Sequence, residues 1–168
     1  MPLDSQPDVA IEHLLDAAFG IDRHGRTAYR IRHGMPWLPA LSFAMVDADG
    51  ALIGSLQSWP VALTQADGRQ MPLIMVGPVA VDPAHQKGGH GRALMDAVVT
   101  AARAQRSDPL MMIGDPEYYG RFWGFSADGT NGWDAPGPFE KRRLLALSVD
   151  GGVIGGVGML TPRATVMT

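Results

Sequence analysis

The chain has 168 residues, 46% of them hydrophobic and 18% charged, with a formal net charge of −3 at pH 7. That composition suits one folded domain with a sizeable core, excludes a disordered chain, and gives no basis for nonspecific nucleic-acid binding. The absence of cysteine removes disulfide frameworks, zinc–thiolate sites and cysteine nucleophiles.

Pro7-Asp8 precedes a stretch whose apolar residues, Ile11, Leu14, Leu15 and Ala18, recur at helical spacing up to Gly20, a helix stop, with Asp8 as the expected N-cap. Residues 1–9 lack a basic region followed by an apolar run, so no signal peptide is expected. No later run approaches the ~18 residues of a membrane span, and a cytoplasmic location is the default. Residues 23–33 predict a second, short helix carrying Arg23, Arg26, Arg30 and Arg32. Four arginines so close suit a grip on an acidic acceptor or on phosphates, but a solvated helix face is the favoured reading.

Residues 35–39 form a loop, since two prolines resist regular structure. Strands over 41–46 and 51–61 flank an Asp47-Ala48-Asp49-Gly50 hairpin turn, which lacks the later ligands of a calcium loop. A turn at 66–69 leads into a third strand over 73–81, completing an antiparallel meander. Gly77-Pro78 interrupts that strand: proline has no N–H for the ladder, and glycine inside a strand marks a bulge.

After Val79-Ala80-Val81 comes Asp82-Pro83-Ala84-His85-Gln86-Lys87-Gly88-Gly89-His90-Gly91-Arg92, which opens into an amphipathic helix reaching Gln105. Glycines let backbone N–H groups crowd together at a helix start, where the unpaired donors and the dipole favour an anion. Lys87 and Arg92 add positive charge on either side. A strand, such a turn and a helix together point to a phosphorylated ligand. Neither the G-x-G-x-x-G of dinucleotide-binding folds nor the Lys-Ser/Thr pair of a P-loop is present.

Ser107-Asp108-Pro109 breaks the helix, and Leu110-Met111-Met112-Ile113 reads as a strand buried on both faces. Strand, helix and strand make a right-handed parallel crossover, with the anion-binding turn at the end of its first strand. Asp115, Pro116 and Glu117 start a short helix holding Tyr118 and Tyr119. Gly124-Phe125-Ser126 follows a helix, not a strand, and lacks the last glycine of a hydrolase elbow. Residues 130–138 read as loop and 144–149 as the final strand. Residues 151–168 read as an adjunct tail. His85 and His90 flank the turn, but without Cys or a carboxylate cluster no metal site is predicted. His90 is read as a turn residue beside phosphate.

Gln86-x-x-Gly89-x-Gly91, between its strand and the Arg92-Ala93-Leu94-Met95 helix start, resembles the pyrophosphate-binding motif of the GNAT N-acyltransferases, which use acetyl-coenzyme A. Gly114-Asp115-Pro116, Tyr118-Tyr119 and Gly124-Phe125 are similar to a motif of one bacterial GNAT subfamily, from which Trp123 departs as an apparent insertion. The resemblance spans residues 9–149. It implies an α/β fold: a mixed, mostly antiparallel sheet, helices on both faces, split between two central parallel strands. The whole chain is then a single N-acetyltransferase domain.

The resemblance further implies that Gln86, Lys87, Gly88, Gly89, His90, Gly91 and Arg92 hold the pyrophosphate. Backbone groups of Val79, Ala80 and Val81 would pair with the pantetheine arm. Tyr119 would be the acid that protonates the leaving thiolate, its register against Tyr118 left open by Trp123. The reaction implied is acetyl transfer from acetyl-CoA to a small-molecule or peptide amine, with no metal, nucleic acid or membrane; a homodimer is left open. No general base is identifiable. The alternatives are a non-catalytic acyl-coenzyme A binding module and a nucleotide-binding domain of another fold.

Overall fold

The computed structural model describes residues 1–164. These residues form four α-helices and seven strands, in chain order α1 (Asp8–Phe19), α2 (Thr27–Ile31), β1 (Phe43–Val46), β2 (Leu52–Thr64), β3 (Gln70–Val81), α3 (His90–Gln105), β4 (Leu110–Ile113), α4 (Pro116–Trp123), β5 (Trp133–Asp134), β6 (Leu144–Leu147) and β7 (Gly158–Pro162). The strands form one mixed sheet in the order β5-β7-β2-β3-β4-β6, with β1 also paired to β2. β1 and β7 share the outer edge of β2, taking residues 52–56 and 61–64 in turn. β3 and β4 run parallel at the centre, as the crossover through α3 requires. No helix among the described residues is long and apolar enough to cross a membrane.

Alternation along the strands supplies a core on each face. Ile74 and Val76 of β3 pack with Leu94, Met95, Val98 and Ala102 of α3 and Trp123 of α4. Leu73 and Met75 point the other way, toward Ile31 of α2, Trp59 and Leu160. Ile11, Leu14 and Leu15 of α1 cover Ala44 and Ala80 on that second face.

The interruption at Gly77-Pro78 is a true bulge. Leu56 pairs with Val79 and Ser58 with Val76, so two residues of β3 oppose Gln57 alone. The extra residue flips the alternation, placing Val79 with the α3 core and Ala80 beneath α1. Trp59 Nε1 donates to the Gly77 carbonyl at 2.7 Å, giving the bulged backbone an acceptor–donor match. Parallel pairing of β3 with β4 is confined to Ile74–Leu110 and Met75–Met111. Beyond Met75 the two strands part.

Four sequence expectations are corrected. Pro7, not Asp8, is the N-cap of α1; Asp8 is the first helical residue and makes no capping hydrogen bond. Trp133, assigned to a loop, is 1% exposed in β5, held by β7. The strand over 144–149 is not the last, because the tail read as an adjunct contributes β7. There Leu160 is fully buried and Arg163 donates to the Leu73 carbonyl at 2.7 Å and to Asp108 at 3.1 Å. The arginines of residues 23–33 are not uniformly solvated: Arg23 is 2% and Arg32 8% exposed. The last four residues of the tail lie outside the described residues.

Candidate active site

The gap between β3 and β4 is the centre of the site. Asp82 N–H donates to the Ile53 carbonyl at 2.8 Å. Hydrogen-bonded pairs alternate along an antiparallel ladder, so Ala80 also exchanges its bonds with Ser55 of β2. The N–H and C=O groups of Val79 and Val81 therefore point away from β2, into the gap. Of the three residues assigned to the pantetheine arm, Val79 and Val81 present backbone groups there. Ala80 presents none: its polar groups face β2, and its side chain is 1% exposed under α1.

At the end of β3 the turn folds as a 3₁₀ segment, Pro83–Gly88, started by Asp82, whose carboxylate accepts from Ala84 N–H at 2.8 Å. Gly89 follows at φ 72°, a left-handed conformation that glycine adopts without strain, and serves as N-cap of α3. With no side-chain cap there, the N–H groups of His90, Gly91 and Arg92 have no intrahelical acceptor, and Ala93 N–H is the first to bond, to Gly89. A cavity of about 410 Å³ lies over these groups, lined by Gln86, Gly89, Gly91, Arg92, Val79 and Val81 among others. Lys87 and Gly88 are exposed beside it, and His90 stacks edge-on with His85 at 6.4 Å. The Arg92 guanidinium lies 4.0 Å from the Phe122 ring centre, which holds it at the mouth of the cleft.

α4 closes the other side. The Asp115 carboxylate caps it by accepting from Glu117 N–H at 3.0 Å, and Pro116 takes the first position. Trp123 belongs to its last turn: the ring is buried, and Nε1 donates to Asp96 of α3 at 2.8 Å, with Gly124 ending the helix. Trp123 is the last residue of the helix. Tyr118 is 38% exposed, while Tyr119 is turned into the molecule against Phe125 and Trp123. Gly114 makes room for it, since a Cβ there would stand 2.7 Å from Tyr119 Cε2. Burial, with Tyr118 and Asp115 nearby, holds the Tyr119 hydroxyl above the usual tyrosine range. It stays protonated at neutral pH.

Tyr119 and Val79 line the cavity over the turn and also a second cavity of about 260 Å³. The two cavities adjoin at these residues, with the α3 N-terminus bordering the first and Arg23, Arg32 and Tyr29 the second. The sequence raised these arginines as a grip on an acidic acceptor or on phosphates but favoured a solvated helix face. The local sequence does not set Arg32 apart from them: it is the C-cap that follows α2.

The acetyltransferase (GNAT) domain family matches residues 9–126. The chain belongs to that family. Among solved structures, it is similar to the GNAT family N-acetyltransferase YhbS of Escherichia coli in complex with CoA, at 22% identity and TM-score 0.71, covering 97% of this chain and 86% of that one. It is also similar to a GNAT family acetyltransferase of Brucella melitensis in complex with acetyl-CoA, at 24% identity and TM-score 0.63, covering 95% and 92%. At these identities the likeness establishes the fold, which is the mixed α/β arrangement expected from the motifs. Among curated proteins none matches. Family membership removes the reading as a nucleotide-binding domain of another fold.

Proposed function

We propose that the protein transfers an acetyl group from acetyl-CoA to an amine. The observation that carries this reading is the pair of adjoining cavities that bring together three features: the open N–H groups of α3, the unpaired edge of β3, and the half-buried Tyr119. The cradle fits an extended phosphorylated thioester. A Cβ at Gly91 would meet no atom nearer than Val81 Cγ2 at 3.8 Å, so the turn is open where a pyrophosphate must approach. The CoA and acetyl-CoA complexes of the Escherichia coli and Brucella melitensis relatives support the choice of cosubstrate.

In this reading the turn and its helix dipole hold the pyrophosphate, with Lys87 and Arg92 adding screened charge. Acetyl-CoA supplies the acetyl group as an activated thioester. Val79 and Val81 offer N–H groups to the pantetheine amides and to the carbonyl oxygen as negative charge grows on it. The N–C bond forms, the C–S bond breaks, and Tyr119 Oη gives its proton to the leaving sulfur and regains one from solvent. No Asp, Glu or His lines the cavity beside Tyr119, so the amine arrives neutral and gives its proton to water.

Free-thiol release with a panel of amines tests the reading. Tyr119→Phe should lower kcat by about 10²- to 10⁴-fold and Tyr118→Phe far less, with acetyl-CoA affinity little changed in both. A loss confined to Tyr118→Phe moves the acid to the other tyrosine. Tight acetyl-CoA binding without thiol release for any amine leaves a non-catalytic binding module instead.

A further inference from the structure

The second cavity has the chemistry of an anion receptor. Its space of about 260 Å³ is lined by Arg23, Arg26, Arg32 and Arg143 and by no Asp or Glu. Arg32 is the residue without an explanation inside the fold. It is 8% exposed, and its guanidinium carbon lies 3.7 Å from the Trp59 ring centre and 4.0 Å from that of Tyr29.

Two aromatic faces fix the plane of a guanidinium, but they accept none of its in-plane N–H groups. Among the described residues Arg32 has no ion pair, and its buried Nε has no hydrogen-bond partner; neither has the Tyr29 hydroxyl beside it. The two nearby acids are already engaged: Glu12 and Asp16 both pair with Arg23, the latter at 2.7 Å. A buried cation without an acceptor is costly, and most such groups are paired. Burial draws the Arg32 pKa down only to about 10, so the charge persists at neutral pH. A planar fork held rigid by stacking, in the wall of a cavity shared with Tyr119, matches a carboxylate better than any other common group.

We propose that the acceptor is an amino carboxylic acid and that Arg32 receives its carboxylate while the amine faces the Tyr119 end of the cavity. This rests on the acetyl-transfer reading above. Arg26 and Arg143, both exposed, add a positive field at the cavity's edges that draws such an acceptor in. Arg23, neutralised by its two acids, is a positioning residue that packs beside Tyr29.

The test compares glycine, alanine, phenylalanine and glutamate with their C-terminal amides, by thiol release and by chemical-shift titration of the coenzyme A complex. The acids should be preferred about ten- to hundredfold in kcat/KM and in affinity. Arg32→Gln should bring that ratio to about one without changing acetyl-CoA affinity. Arg32→Lys, which keeps the charge and loses the fork, should retain a smaller preference.

Amides that serve as well as acids in the unaltered protein overturn the proposal, whether or not the variants fold. So does a ratio that survives in a folded Arg32→Gln, or a fall in its acetyl-CoA affinity, which would give Arg32 to the cosubstrate. If acetyl-CoA binds but no amine is acetylated, the acetyl-transfer reading fails by itself. The titrations then decide the receptor: tighter binding of acids than amides sustains it, and equal binding overturns it.

Discussion

Gly91→Ala separates ligand binding from folding more cleanly than any other change in the turn. Gly91 is the second residue of α3, and a Cβ there makes one ordinary contact, 3.8 Å from Val81 Cγ2. The fold accepts the methyl group, and replacing glycine within a helix contributes up to about 1 kcal/mol. A helical Cβ leans toward the N-terminus, which is the side proposed for the pyrophosphate. The methyl should hold a phosphate oxygen away from at least one N–H. A hydrogen bond to a charged group contributes about 1.5–3 kcal/mol, and ~1.4 kcal/mol is a factor of ten. The Kd for acetyl-CoA should therefore rise about 10- to 150-fold while Tm holds or rises, measured by calorimetric titration and thermal unfolding. An unchanged Kd in the folded variant refutes the placement of the pyrophosphate. Gly89→Val is a poorer probe, because φ 72° costs a side chain roughly 1–2 kcal/mol and would lower stability and affinity together.

Lys87→Ala should weaken acetyl-CoA binding modestly, with the loss shrinking at high salt, since an exposed charge is screened; a salt-independent loss would show that Lys87 acts through structure. Arg92→Ala should retain part of its loss at high salt, because its stacking on Phe122 goes as well. The raised pKa of Tyr119 predicts that kcat shows no alkaline decline below about pH 10, the ordinary tyrosine value. A decline centred well below that in a pH–rate profile would exclude Tyr119 as the acid. The same shift carries a stability sign: above about pH 10 an unfolded tyrosine ionises before the folded one, so stability falls there, and Tyr119→Phe should remove that part of the fall in denaturant titrations. Leu160→Ala, in a strand that the sequence presented as an adjunct tail, should cost about 2–5 kcal/mol of unfolding free energy. A loss under 0.5 kcal/mol would make β7 dispensable.

The sequence by itself determined the elements whose signals are local. Glycine and proline at Gly77-Pro78 forced a bulge because one lacks a side chain and the other an N–H. The strand–turn–helix run from Val79 through Gly91 produced free N–H groups because a helix start leaves them unpaired wherever it occurs. Asp115-Pro116 started α4 for reasons confined to its first turn. Long-range pairing decided the rest. β7 has few strand-forming residues between Gly158 and Pro162 and exists because β2 extends past β1 and leaves an edge to cover. Ala80 withdrew from the cleft because ladder parity, set by the register against β2, turned its N–H toward Ser55. Tyr119 became the less exposed member of its pair by packing against Phe125 and Trp123, the latter itself tied to Asp96 twenty-seven residues earlier. Arg32 was indistinguishable from its solvated neighbours until Trp59, on a strand with no local relation to it, supplied the second aromatic face. Burial and the absence of a counter-ion are properties of what a residue packs against, and the local sequence carries no trace of them.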